Sequence, residues 1–133
     1  MAFSASLALS QEEPKESGGS PVRGSIVEDR AAAKLLEAGD ARIEADEVKK
    51  AIEIWQSVVE RYPRSKVRFD AHMRLGNYFL DKERAYDRAR VQFQSVISED
   101  NRNEEQRAEG MLKMGVCLYE ARNLGKALQV RRD

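Results

Sequence analysis

One helical motif recurs along the chain, and that recurrence leaves few folds open to it. From Ala71 to Val96 the sequence reads AHMRLGNYFLDKERAYDRARVQFQSV. Its apolar residues return at three- and four-residue steps, the period of a helix with one face turned inward, without strand alternation. Similar stripes precede and follow it. Ala51, Ala89 and Ala127 stand 38 residues apart, and Gly39, Gly76 and Gly115 take matching places ahead of them. Glycine inside a helix costs about 1 kcal/mol against alanine. Its return at matching sites therefore marks close helix crossings. The pattern predicts pairs of antiparallel helices stacked side by side.

Order is expected from Ser25. Ser25-Ile26-Val27-Glu28 reads as a capping box, in which hydroxyl and carboxylate satisfy free N–H groups. The first helix is predicted to run from there to about Ala45. Asp46 is predicted to cap the second, Glu47 to Arg61, with the stripe Val48, Ala51, Ile52, Trp55, Val58, Val59, Tyr62. Pro63 ends it, because proline disfavours helix at the preceding residue, and Ser65 is the expected next cap. The third helix is predicted over Val67 to Asp81, with His72, Leu75, Gly76 and Phe79 on one face. The fourth spans Arg84 to Ser98, with Tyr86, Ala89, Phe93, Val96 and Ile97 inward. Glu99 to Asn103 is a polar turn, and Asn103 with Gln106 resembles a further capping box. The fifth helix is predicted over Glu104 to Ala121, carrying Met111, Met114, Gly115 and Leu118. A sixth is expected from Leu124, behind an Asn123 cap, with Ala127 and Leu128 inward.

Residues 1–24 differ in character. Met1 to Ser10 is small and apolar, and Gln11 to Gly24 is acidic and rich in Gly, Ser and Pro. The latter has too few apolar groups to pack and is expected to be a linker. The division expected is therefore a disordered N-terminus over 1–24 and a repeat domain over 25–133, its last repeat incomplete. Ala8-Leu9-Ser10 has the small-x-small spacing of a signal-peptidase site, without a basic leader or a long apolar run before it. Two readings stand: a signal-peptide remnant, implying an exported, periplasmic protein, or a disordered cytoplasmic segment.

Composition excludes several classes. Lys and Arg number 23 and Asp and Glu 23, so the net charge is zero and the basic footprint of a nucleic-acid binder is missing. No apolar run reaches the length of a membrane span. The single Cys117 can form neither an internal disulfide nor a zinc knuckle, and reads as a small apolar filler. His72, the only histidine, falls at a core site and reads as packed or half-buried. Carboxylates are plentiful but spread along helices, so no acid/base pair is nominated. Gly18-Gly19 is a lone pair, not a phosphate loop. Trp55, Tyr62, Tyr86 and Phe93 follow core spacing. The expectation is no catalytic residue, no metal, no cofactor and no enzyme.

The repeated unit resembles the tetratricopeptide repeat: aromatic-x2-Leu-Gly-x2-Tyr, then Ala-x3-Phe, then Pro. The middle copy reads His72-x2-Leu75-Gly76-x2-Phe79, then Ala89-x3-Phe93. The first reads Leu35-x2-Ala38-Gly39-x2-Arg42, then Ala51-x3-Trp55, with Pro63 following. The third reads Met111-x2-Met114-Gly115-x2-Leu118, then Ala127-x3-Arg131. The resemblance covers Ser25 to Asp133. Its period of 38 exceeds the usual length of about 34, and Arg131 stands where an apolar residue is expected. The longer period and the Tyr62-Pro63-Arg64-Ser65 joint are also similar to repeats of bacterial envelope proteins, the outer-membrane-assembly lipoproteins and the Tol-Pal coordinator. The resemblance implies an all-α fold, antiparallel helix pairs stacked as a short right-handed α-solenoid of about two and a half repeats. It further implies a fragment or early-terminated member of a longer array. Its final helix is expected to fray, leaving Met111, Met114 and Leu118 partly uncovered.

The family resemblance implies a protein-interaction scaffold in which first helices line a concave groove. Leu36, Met73 and Leu112 would form an apolar row there. Asp40, Asn77 and Val116 follow, then Ile43, Leu80 and Tyr119, then Glu44, Asp81 and Glu120. Asp70 and Glu109 lie at the near edge. The implied groove has an apolar floor and an acidic rim. Arg61, Arg64, Lys66, Arg68, Arg88 and Arg90 are assigned to turns and second helices. A protein or peptide partner with apolar anchors and basic flanks would fit, and self-association through the incomplete last repeat is a further expectation. The other reading of these carboxylates is a solvated helix face. Only Asn77 matches the clamp by which some family members hold acidic chaperone tails. A nucleic-acid-binding helical repeat and a non-catalytic arm of an envelope complex are the alternative functions. Neutral charge and core-spaced aromatics count against the former, because bases need exposed stacking platforms.

Overall fold

A computed structural model describes residues 25–132, and the linker and signal-peptide readings of residues 1–24 lie outside them. The elements are α1 (Ile26–Glu44), α2 (Val48–Arg61), α3 (Val67–Asp81), α4 (Tyr86–Val96) and α5 (Glu104–Arg132). Each packs on the next, and α1 also packs on α3. Short turns between neighbours in contact make each pair an αα-hairpin.

The expected start of α1 is met. Ser25 Oγ accepts the Glu28 N–H at 3.0 Å, and the Glu28 carboxylate accepts the Ser25 N–H at 3.3 Å. The starts of α2 and α4 differ from expectation for one reason. Asp46 has φ 64° and Arg84 has φ 53°, so each turns the chain through the left-handed region and cannot belong to a helix. Asp46 therefore does not cap α2, which begins at Val48 without a side-chain cap. Arg84 lies outside α4, which begins at Tyr86. These two residues are 38 apart, the spacing of the repeated alanines, so the hairpin turn repeats along with the helices.

Glycine sets the distance within each hairpin. A Cβ on Gly39 would lie 2.6 Å from Trp55 Cδ1, and one on Gly76 would lie 2.6 Å from Phe93 Cε1. Each ring thus rests on the bare backbone of the first helix. Trp55, Phe93, Leu75, Phe79, Val58 and Val96 are all buried, and Cys117 extends the core into α5. Fully burying side chains of this size stabilises by about 1.5–3 kcal/mol each.

The joints between hairpins are polar and also repeat. Ser65 and Asn101 are the buried polar residues of the core. Each accepts the N–H of the residue two positions on, Val67 at 3.1 Å and Asn103 at 3.0 Å. Ser65 thus satisfies the start of α3 from just outside the cap position, which Lys66 holds. Each joint reaches back to the preceding first helix. Ser65 Oγ donates to Asp29 at 2.7 Å, and Gln106 Nε2 donates to Asp70 at 2.7 Å. The Gln106 backbone N–H also donates to Asn103 Oδ1, so the capping box expected there is half formed. Arg68 belongs to the first turn of α3, not to a turn or second helix. Its guanidinium stacks 4.1 Å from the Phe69 ring centre, donates to the Ser65 carbonyl at 2.9 Å and lies 3.7 Å from Asp100.

The largest correction is at the end. The sixth helix does not form, and α5 runs unbroken from Glu104 to Arg132. Arg122, 38 residues beyond Arg84, is helical, Asn123 caps nothing, and Ala127 and Leu128 are exposed. Two physical causes are visible in the sequence. Ala121, Leu124, Ala127 and Leu128 are strong helix formers. Arg131 stands where Trp55 and Phe93 stand in the earlier pairs, so folding back would bring no ring onto Gly115. Met111 and Leu118 are uncovered as expected, at 58% and 54% exposure, but because the helix runs straight, not through fraying.

The glycines give a paired prediction. Gly76→Ala drives a methyl into the Phe93 ring and should destabilise by about 1–3 kcal/mol. Gly115→Ala meets no atom within 4 Å, so it should stabilise by up to about 1 kcal/mol. Urea unfolding of both variants checks the contrast.

Candidate functional site

The face formed by the first helices α1, α3 and α5 is divided more sharply than its sequence implies. Leu36, Met73 and Leu80 are 5–7% exposed and belong to the core. They are not an open floor: α1 packs on α3, so residues aimed sideways from one first helix meet the other. Ile43 and Val116 are half-buried against the same core. Among the described residues, α5 is the first helix that presents its members freely: Leu112 is 67% and Tyr119 64% exposed.

The acidic rim divides as well. Asp40 is committed to structure. Its carboxylate accepts Arg74 Nε at 2.9 Å and Arg74 Nη2 at 3.0 Å, and its Oδ1 also accepts Trp55 Nε1 at 3.0 Å. This bidentate pair joins α1, α2 and α3 and removes one negative charge from the rim. The bond to Asp40 raises the pKa of Arg74 above its ordinary value, against the opposing effect of burial. Asp70 is likewise engaged by Gln106. Glu44, Asp81 and Glu109 are exposed and Glu120 is half-buried, and among the described residues none of them forms an ion pair. Between them lies Asn77, half-buried, with its Oδ1 buried and without a hydrogen-bond partner among the described residues. Arg74 is the residue that sequence reasoning missed. The signal was an acid and a base beside the crossing glycines of consecutive first helices.

His72 and Cys117 behave as fillers. His72 Nδ1 lies 2.8 Å from Gln92 Oε1, an acceptor, so the ring proton is assigned to Nδ1. Burial pushes the His72 pKa below its ordinary value, partly opposed by the Gln92 bond and reinforced by nearby Arg68. Burial pushes the Cys117 thiol up, which keeps it protonated. Among the described residues, no group of three or more His, Cys, Asp and Glu is placed to hold a metal. No described helix is long and apolar enough to cross a membrane.

The lowered pKa of His72 fixes a sign. The unfolded chain binds this proton more readily, so stability is full above the unfolded value and falls as pH drops through it. Between about pH 8 and pH 5.5, a range that brackets the ordinary histidine pKa, the chain should lose stability. His72→Phe should flatten that segment of the profile, read by denaturant midpoints at each pH.

Residues 35–65 match the tetratricopeptide repeat family model. The match covers the second half of α1, all of α2 and the Pro63 joint. No curated protein and no solved structure matches the chain. The matched model is that of the tetratricopeptide repeat at large, and the narrower likeness to bacterial envelope proteins is not supported. With one repeat matched and the five helices of the described residues arranged as two stacked hairpins and an unpaired α5, the chain is an all-α helical repeat protein of tetratricopeptide-like fold.

Proposed function

We propose that the chain is a protein-interaction module whose first-helix face holds a partner segment with an apolar anchor and basic flanks. Repeats of this type generally mediate protein–protein contact. The observation that carries the finer reading is the unequal state of the face. Asp40 and Asp70 are consumed internally, whereas Glu44, Asp81 and Glu120 pair with no cation of the described residues and lie on the same helices' face as exposed Leu112 and Tyr119. A segment lying across α1, α3 and α5 would set its apolar anchor on Leu112 and Tyr119. Its Lys or Arg residues would meet the carboxylates. Complementary charge would speed encounter and reject acidic competitors more than it would add affinity.

The nucleic-acid reading is weakened at the same time. Arg88 lies 3.1 Å from Glu83 and 4.1 Å from the Phe79 ring centre, and Arg61 lies over Tyr62. Arg68 is held by Ser65 and Asp100. Trp55 and Phe93 are in the core and offer no stacking platform.

A pair of designed helical peptides tests the proposal, one with leucine anchors and lysine flanks, the other with glutamate flanks. The lysine peptide should bind better, and rising salt should weaken it. The combined change Glu44→Lys, Asp81→Lys and Glu120→Lys should weaken it by roughly tenfold or more. Equal binding of the two peptides, insensitive to salt, would sink the electrostatic reading.

A further inference from the structure

We propose that α5 pairs antiparallel with the α5 of a second copy of this chain, the two helices crossing near Gly115. Glu104, Ala108, Met111, Gly115, Leu118 and Arg122 follow one another at alternating steps of four and three residues, so they form one seam along the helix. Every residue of that seam is exposed, and Lys126 continues it. The seam is turned away from Gly110 and Cys117, the buried residues of α5. Its centre is apolar, with Met111 58% and Leu118 54% exposed.

The glycines show that this seam lacks a cover which its counterparts have. Gly39 and Gly76 each carry an aromatic ring from their second helix. At Gly115 no described residue outside its own helical turn comes within 4 Å of where a Cβ would be. Residues 124–132 do not supply one, because they continue α5 as helix. A bare glycine allows another backbone to come close.

Charge selects a second copy, and selects its direction. The seam opens acidic at Glu104 and closes basic at Arg122 and Lys126. Arg107, flanking the acidic end, is held by the Asn101 carbonyl at 2.7 Å. A two-fold axis near Gly115 places Glu104 of one copy beside Lys126 of the other, at both ends at once. The same axis sets Met111 against the Leu118–Tyr119 turn. Parallel pairing would oppose Glu104 to Glu104 and Lys126 to Lys126. One surface that matches itself under a two-fold axis closes the interface without a further partner. From Glu104 to Lys126 the helix rises about 33 Å, room for several turns of contact. The proposal does not use Glu44, Asp81 or Glu120 and shares Tyr119 with the groove, so the carboxylate variants read the groove and the Gly115 and Glu104 variants read the dimer separately.

Sedimentation of the full chain from about 5 to about 500 µM, a range that spans weak to moderate self-association, should show a monomer–dimer equilibrium. Gly115→Gln should keep the thermal unfolding of the monomer, because the position has free space, yet weaken dimerisation by roughly tenfold or more through lost close approach. Glu104→Lys should weaken it as well, and adding Lys126→Glu to the same chain should restore it. A monomer at every concentration overturns the proposal. So does a dimer indifferent to Gly115→Gln and Glu104→Lys. A monomer in which residues 124–132 fold back on Met111 and Leu118, seen as amide protection equal to that of α3, overturns it too.

Discussion

The fold depends on a ring lying on a bare helix backbone. Gly39 under Trp55 and Gly76 under Phe93 bring the two helices of each hairpin close enough for the remaining apolar residues to interdigitate. A hairpin of this size buries only one face of each helix, so the other faces must be covered by the next unit, as in stacked repeats generally. Once the crossing distance is fixed, the turn geometry follows. Asp46 and Arg84 are forced into left-handed backbone so that the second helix can reverse onto the glycine. Where the ring is replaced by Arg131, the turn is lost as well, and α5 continues through the equivalent position.

Much of this was legible in the sequence, for reasons that are local. A stripe such as Val48, Ala51, Ile52, Trp55, Val58 needs only helical periodicity to be read, and α1 and α3 lie where the caps and stripes put them. The start of α4 was misread because propensity is blind to a single residue at positive φ; Arg84 gives no sign of it. Repeat register predicts a sixth helix that does not form, because register alone takes no account of the residue that makes it matter. Alanine at 127 and glycine at 115 match the pattern, but the absent ring at 131 decides the outcome.

The face of the first helices was legible in outline and not in accessibility. Family position indicates direction around a helix. It does not say whether a neighbouring first helix already stands there. Leu36, Met73 and Leu80 have the expected direction and are nonetheless core, whereas Leu112 and Tyr119 have the same direction and are open. Charge was misjudged in the same way. Asp40 reads as a rim acid until Arg74, 34 residues away, is seen to hold it at 2.9 Å. Long-range pairing of this kind has no periodic signature, and for a partly exposed pair its worth lies more in geometry than in energy.

The three-way junction at Asp40 has a practical consequence. Trp55 is the only tryptophan of the chain, and its indole N–H is bound to the carboxylate that also holds Arg74. Its emission therefore reports the meeting point of α1, α2 and α3. It is remote in sequence from the long tail of α5, which contributes much of the helical signal. Fluorescence and circular dichroism consequently sample opposite ends of the stack. If the hairpins part company during unfolding, the two signals will separate, and the molecule carries its own test of whether it melts as one body.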